Sequence, residues 1–152
     1  MMRELLLLRH AKSSWDDPSL PDHARPLNAR GRQAAAAMGE VLRAKFAAPE
    51  LVLVSSSRRT LQTLEALGPF PPETKVTPLD ALYLASAAQL AETLSGVEDR
   101  VHRVLMIGHN PGLHDLALRL VGAHAMAEPT PEAERLADGF PTGALAAFTL
   151  AG

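Results

Sequence analysis

Three short apolar runs in this chain each stop at a cluster of polar residues. Leu5 to Leu8 stops at Arg9-His10, Leu51 to Val54 at Ser55-Ser56-Ser57-Arg58-Arg59, and Val104 to Ile107 at Gly108-His109-Asn110. Brought together, these clusters supply Arg9, Arg59, His10 and His109. Two guanidinium forks and two imidazoles suit a phosphoryl dianion, because planar, permanently charged arginines grip phosphate oxygens in pairs. A carboxylate ligand would need less positive charge. A metal centre would want carboxylates or more histidines, so no metal is expected. Each cluster alone is a weak signal. An Arg-His pair is common by chance, and a histidine after a strand is usually structural. Their joint occurrence carries the reading.

The fold has to bring the clusters together. Short, fully apolar runs suit strands buried on both faces. Ala144 to Leu150 reads as a fourth strand and Lys75-Val76-Thr77 as a short fifth. Helical patterns lie between them. Asn28 is placed to cap a helix running to about Phe46, with Ala34, Met38, Val41 and Leu42 on one face. Ser57 is placed to cap a helix carrying Leu61, Leu64 and Leu67, closed by Gly68. Ser86-Ala87-Ala88-Gln89 is a capping box ahead of Leu90 and Leu94. Asn110 as cap and Pro111 at the first helical position open a last helix through Leu113, Leu116, Leu120 and Val121, ended by Gly122. Ala123 to Thr142 reads as a surface loop with one helical turn around Glu132 to Leu136.

Strands alternating with helices imply an α/β fold, a largely parallel sheet with helices on both faces. Ligands bind such sheets beyond the carboxyl ends of the strands. Parallel strands would therefore gather all three clusters at one edge. Two of the clusters lead into helix N-termini, which favour an anion.

Composition narrows the function classes. The chain has 152 residues and is read as one domain over 1–152, with no boundary or internal repeat. A net charge of −2 gives no global basic field for nucleic acid. With no cysteine there is no disulfide framework, thiolate zinc site or cysteine nucleophile. The four leucines near the N-terminus are too few for a signal peptide, and no small-residue cleavage site follows. No stretch approaches the roughly 18 apolar residues of a spanning helix. No membrane contact is expected, and a cytoplasmic location is the default, an argument from absence.

The motifs resemble a known family. Leu8-Arg9-His10-Ala11-Lys12-Ser13 resembles the Arg-His signature of the histidine phosphatase superfamily, and more closely that of the SixA-type phosphohistidine phosphatases. Asp22-His23-Ala24-Arg25-Pro26-Leu27-Asn28, followed by Gly31, resembles their Asp-x-x-Arg-Pro-Leu segment. Ser55 to Thr63 resembles Ser-Pro-x-x-Arg-Ala-x-Gln-Thr, and Gly108-His109-Asn110-Pro111 the closing Gly-His-Asn-Pro. Ser56 departs from the usual proline, and Arg58 competes with Arg59. The spacing to Gln62-Thr63 favours Arg59.

The resemblance implies a three-layer α/β/α sandwich of the phosphoglycerate mutase-like kind, with a mostly parallel sheet and no cap domain. It implies that His10 is the nucleophile, and that Arg9, Arg59 and His109 hold the phosphoryl oxygens with no cofactor. Ser13, in the signature, is a further substrate-binding candidate. A neutral imidazole attacking in line, with fixed positive groups on the equatorial oxygens, is sound chemistry for phosphoryl transfer. Asp22 is the candidate proton donor, with turn capping near Arg25 as the equal alternative. Arg25 reads first as structural. His23, His102, His114 and His124 fall on loops or helix surfaces, with His114 near enough to the last motif to touch the site. Trp15 reads as site rim or packing.

The expected substrate is a protein carrying phosphohistidine. A short, uncapped chain admits a protein side chain, and an imidazole leaving group needs little acid help. A small phosphorylated metabolite is the alternative substrate. A catalytically idle phosphoprotein-binding module is the alternative class.

Overall fold

The computed structural model describes residues 2–127, 136 and 138–151. Five strands, β1 (Met2–Arg9), β2 (Leu51–Ser55), β3 (Lys75–Leu79), β4 (Arg103–Gly108) and β5 (Leu145–Ala151), form one sheet in the order β3-β2-β4-β1-β5. β1 to β4 run parallel, and β5 closes one edge antiparallel to β1. Among the described residues four α-helices connect them: α1 (Ala29–Lys45), α2 (Arg58–Leu67), α3 (Ala87–Ser95) and α4 (Gly112–Ala127).

The strands read as unbroken apolar runs because both of their faces are covered. Leu6, Leu8, Val52, Val54, Leu105 and Ile107 pack with Leu42 of α1 and Leu67 of α2. Leu5, Leu7, Leu53, Val104 and Met106 pack on the opposite face with Leu90 of α3 and with Leu113 and Leu116 of α4. The result is a three-layer α/β/α sandwich. Among the described residues no separate cap domain stands over it.

Local signals place several ends as expected. Asn28 accepts the Gly31 amide at 2.7 Å, Ser57 caps α2, and Ser86 with Gln89 completes a capping box. Gly68 ends α2 at φ 96°, a conformation open to glycine.

Four expectations need correction. The buried stripe of α1 is Gly31, Ala35, Gly39 and Leu42, while Val41 is exposed. Leu42 is buried and Met38 packs against the core as expected, but small residues line the rest of the face because the helix packs too closely for large ones. A Cβ on Gly31 would lie 2.2 Å from the Lys12 carbonyl oxygen. Asn110 does not cap α4, which begins at Gly112; its side-chain amide is drawn to the Phe140 carbonyl instead. Gly122 does not end α4. The helix runs on to Ala127, so the first part of the expected surface loop is helical. Finally, β3 extends past Thr77 to Leu79. The expected turn at Glu132 to Leu136 lies outside the described residues except for Leu136.

Candidate active site

Register puts the carboxyl ends of the parallel strands on one edge. Arg9 pairs with Gly108, Val54 with Ile107, and Ser55 with Leu79. From neighbouring ends, β2 leaves through α2 on one face and β4 through α4 on the other. The crevice between them is a topological switch point, where open α/β sheets bind ligands. The buried polar side chains belong to this edge and its approaches: His10, Arg25, Ser55, Ser57, Arg59, Thr60, Thr63 and His109.

His10 follows directly on β1. Its backbone amide reaches the Gly108 carbonyl at 3.1 Å, and Ala11 N–H reaches Thr63 Oγ1 at 3.0 Å. Its Nδ1 lies 2.7 Å from the Ala11 carbonyl oxygen. A carbonyl only accepts, so Nδ1 carries the proton and Nε2 keeps its lone pair. Burial pushes His10 down to about 4, helped by Arg59, Arg9 and Arg25 and opposed by the Ala11 bond. The ring is therefore neutral at neutral pH.

His109, at the end of β4, stands with its ring centroid 5.3 Å from that of His10. Its Nε2 bonds Ser55 Oγ at 2.8 Å, and its Nδ1 lies 3.4 Å from an Arg59 terminal nitrogen. A guanidinium only donates, so Nδ1 accepts and Nε2 carries the hydrogen. Burial first, then Arg59 and His10, push His109 down to about 3.

Arg9 donates a terminal N–H to the Phe140 carbonyl at 3.1 Å, the same oxygen that takes Asn110 Nδ2 at 2.7 Å. The Nε atoms of Arg9 and Arg59 and the Oδ1 of Asn110 are buried without a partner. An orphaned buried donor costs about 1–3 kcal/mol. Two such arginine donors at one edge suit a site built to receive an acceptor-rich anion. Arg9 is also shifted down, by burial and then by its neighbour Arg59. A bound anion would relieve both effects.

Asp22 lies in a 3-10 turn, Asp22–Ala24. Its Oδ2 accepts Arg59 Nη2 at 3.0 Å and the Tyr83 hydroxyl. Its Oδ1 accepts Arg25 Nε at 3.1 Å, and its backbone carbonyl accepts Arg59 Nη1 at 2.8 Å. Partial burial pushes the carboxyl up, but the bonds from Tyr83, Arg59 and Arg25 outweigh it and hold Asp22 at about 2. The carboxyl is therefore ionised at neutral pH in this arrangement.

Ser13 Oγ accepts Arg25 Nη1 at 2.8 Å, so the structure uses this hydroxyl to hold Arg25. Arg25 is itself buried, as a structural role requires. Arg58 is exposed and reaches only the Ala24 carbonyl, at 3.3 Å, whereas Arg59 is 3% exposed and touches His109. His23 bonds Ser56 Oγ at 3.0 Å on the rim. His114 stacks on Phe140 and bonds the Leu136 carbonyl, one layer behind the site. His102 is exposed, and His124 lies among residues whose side chains are not described.

Tyr83 escaped the sequence reading. Its hydroxyl holds Asp22, and its ring meets His109 edge-on at 5.4 Å and His23 at 4.8 Å. The available signal was positional: the single tyrosine follows β3, the parallel strand at the sheet edge, beyond its carboxyl end. No polar cluster marked that exit. Among the described residues no group of three or more His, Cys, Asp or Glu gathers as metal ligands, and no helix is long and apolar enough to cross a membrane.

Comparison with known proteins identifies the family of this fold. The sequence profile of the histidine phosphatase superfamily (branch 1) matches residues 5–83. The chain belongs to that superfamily, and membership implies a phosphatase. It is 36% identical over 145 residues to the uncharacterized protein Rv1276c of Mycobacterium tuberculosis, covering 95% of this chain and 88% of that one. Its fold matches a protein assigned as phosphohistidine phosphatase SixA in Nakamurella multipartitia, with TM-score 0.84 and 28% identity over 100% of this chain and 87% of that one. A protein histidine phosphatase SixA complexed with tungstate matches at TM-score 0.68 and 27% identity, over 77% and 76%. The phosphoglycerate mutase of Plasmodium falciparum, 13% identical at TM-score 0.63 over 99% and 84%, shares the fold alone.

Proposed function

We propose that this chain is a phosphohistidine phosphatase, hydrolysing protein phosphohistidine through a phosphoryl intermediate on His10 and without a metal. The observation that carries the mechanism is the neutral His10 ring. Its proton is committed to the Ala11 carbonyl, and its Nε2 lone pair is free beside Arg9, Arg59 and His109. Nε2 attacks phosphorus in line, and the bond from phosphorus to the partner's imidazole nitrogen breaks, the imidazole leaving neutral because its other ring nitrogen carries a proton. The guanidinium groups stabilise the equatorial oxygens. Water then attacks the phosphoenzyme, releasing phosphate and restoring neutral His10. Asp22 serves here as the anchor of Arg59 rather than as the acid.

Two features support a protein substrate. The edge lacks a cap among the described residues, and the Asp22 carboxyl there is ionised, which disfavours an alkoxide leaving group. The likeness to SixA-type structures points the same way. A small phosphomonoester is the rival substrate. The test ranks kcat/KM over phosphohistidine-bearing proteins and small monoesters, each without and with EDTA. A phosphohistidine protein should rank first, and an acid-labile, alkali-stable phosphoenzyme should be trapped on the wild type and be absent from His10→Ala. A monoester ranking first would overturn the substrate. A folded, active His10→Ala would overturn the mechanism, and loss of activity on chelation would overturn metal independence. A folded wild type inactive on every substrate would leave only the phosphoprotein-binding alternative.

A further inference from the structure

Trp15 is the only tryptophan of the chain and is 75% exposed. Tryptophan is highly buried on average, so an indole this open is uncommon. It is nonetheless held in place. The Arg25 guanidinium carbon lies 3.5 Å from the indole centroid, so one ring face rests on a cation. Arg25 is buried and fixed by Ser13 Oγ, the Ser14 carbonyl and Asp22. Asp22 in turn holds Arg59. The chain Arg59–Asp22–Arg25–Trp15 thus runs from the phosphoryl grip to an indole whose other face is open.

The β3–α3 turn supplies a second exposed apolar group beside the site. Leu84 follows Tyr83, is 55% exposed, and holds φ 51°. Leucine seldom adopts this left-handed backbone, and such outliers concentrate at functional sites. Core packing explains neither the exposure nor the conformation.

We propose that Trp15 is a specificity-determining residue: its open face receives the protein surface around the phosphohistidine, outside the phosphoryl group itself. The inference rests on the phosphohistidine reading above and adds the residue that recognises the carrier protein. A metabolite stacked on so open a ring would leave its own far side in water. A protein surface excludes that water, and tryptophan is the side chain most enriched where binding energy concentrates. The brace from Arg25 reduces the ordering cost of binding, because the indole is already fixed.

The test uses a tryptophan-free histidine-phosphotransfer domain, chemically phosphorylated, and p-nitrophenyl phosphate as the small substrate. Trp15→Ala should lower kcat/KM for the phosphodomain at least tenfold more than for p-nitrophenyl phosphate, mainly through KM. Trp15→Phe should retain most of the selectivity. Because Trp15 is the only tryptophan, its emission in the folded His10→Ala protein should shift to the blue on titration with the phosphodomain. Inorganic phosphate should leave that emission in place. Equal losses on both substrates, or emission unmoved at saturating phosphodomain, would overturn the proposal and reduce Trp15 to a brace for Arg25. The wild-type rates separate this failure from the other. A wild type that prefers p-nitrophenyl phosphate removes the phosphohistidine reading, and the partner named here falls with it.

Discussion

The Nδ1–H of His10 is donated to the Ala11 carbonyl, one residue along the chain. This short-range bond decides which ring nitrogen keeps its lone pair, and it is drawn entirely from the backbone after β1. With the ring pushed down to about 4 by burial and by the arginines, the reactive form dominates across neutral pH. For phosphohistidine hydrolysis, kcat/KM should stay level on the acid side from pH 7 to about 5. It should then fall as His10 takes up a proton near pH 4. An acid limb centred near pH 6.5 would mean that burial does not perturb His10.

Arg59 and Arg58 are neighbours with opposite surroundings. Arg59 is buried against His109 and Asp22, while Arg58 faces solvent. Arg59→Ala should cost about 3–4 kcal/mol of transition-state stabilisation, judged from the loss of one preorganised donor set. Arg58→Ala should cost far less. Steady-state kinetics on the two folded variants decides between them, and reversed effects would shift the motif register by one residue.

The three-way hold on Asp22 makes a distinct prediction. If Asp22 anchors Arg59, Asp22→Asn should lower kcat/KM on phosphohistidine and monoester substrates by similar factors. A proton donor would behave differently, since the alkoxide of a monoester needs the proton more. Loss confined to the monoester would restore Asp22 as the acid.

Stability should also depend on pH through these groups. His10 and His109 titrate near 4 and 3 in the folded protein, against about 6.5 when unfolded. Between those values the unfolded chain binds more protons, so stability falls as pH falls. Each histidine contributes a slope of up to about 1.4 kcal/mol per pH unit. Asp22, held at about 2, extends the loss below pH 4. Denaturant melts between pH 7 and 4.5 should steepen toward a two-proton slope, and a flat profile would contradict the burial of neutral histidines.

Much of this was legible in the sequence because the local signals are strong. Runs such as Leu5 to Leu8 suit doubly buried strands, and Asn28, Ser57 and Ser86 cap the helices they precede. The arginines and histidines stand at strand ends, where register alone brings them together. Other features depended on tertiary distance. The close approach of α1 to Lys12 selects glycine, which carries no apolar signal, so Met38 and Leu42 marked only part of the buried face. Tyr83 matters through Asp22, a contact across 61 residues that no local pattern encodes. Asn110 looks like a helix cap in one dimension and is claimed by Phe140 in three.

That claim has a consequence for how the molecule matures. The Phe140 carbonyl steadies both Arg9 and Asn110, and the next turn returns to β1: Gly143, at φ 75°, gives its amide to the Arg9 and His10 carbonyls at 3.1 Å. The two ends of the reacting crevice are therefore tied by the segment that delivers β5. A chain that has formed β1 to β4 but not docked β5 holds every arginine and histidine of the crevice and lacks their alignment. Such an intermediate should leave phosphorylated partners untouched. In mild denaturant, activity should disappear together with hydrogen-exchange protection of the β5 amides, ahead of the β4 amides. Turnover would then mark arrival of the last strand during biosynthesis, and half-folded copies could not drain a phosphorylated pool.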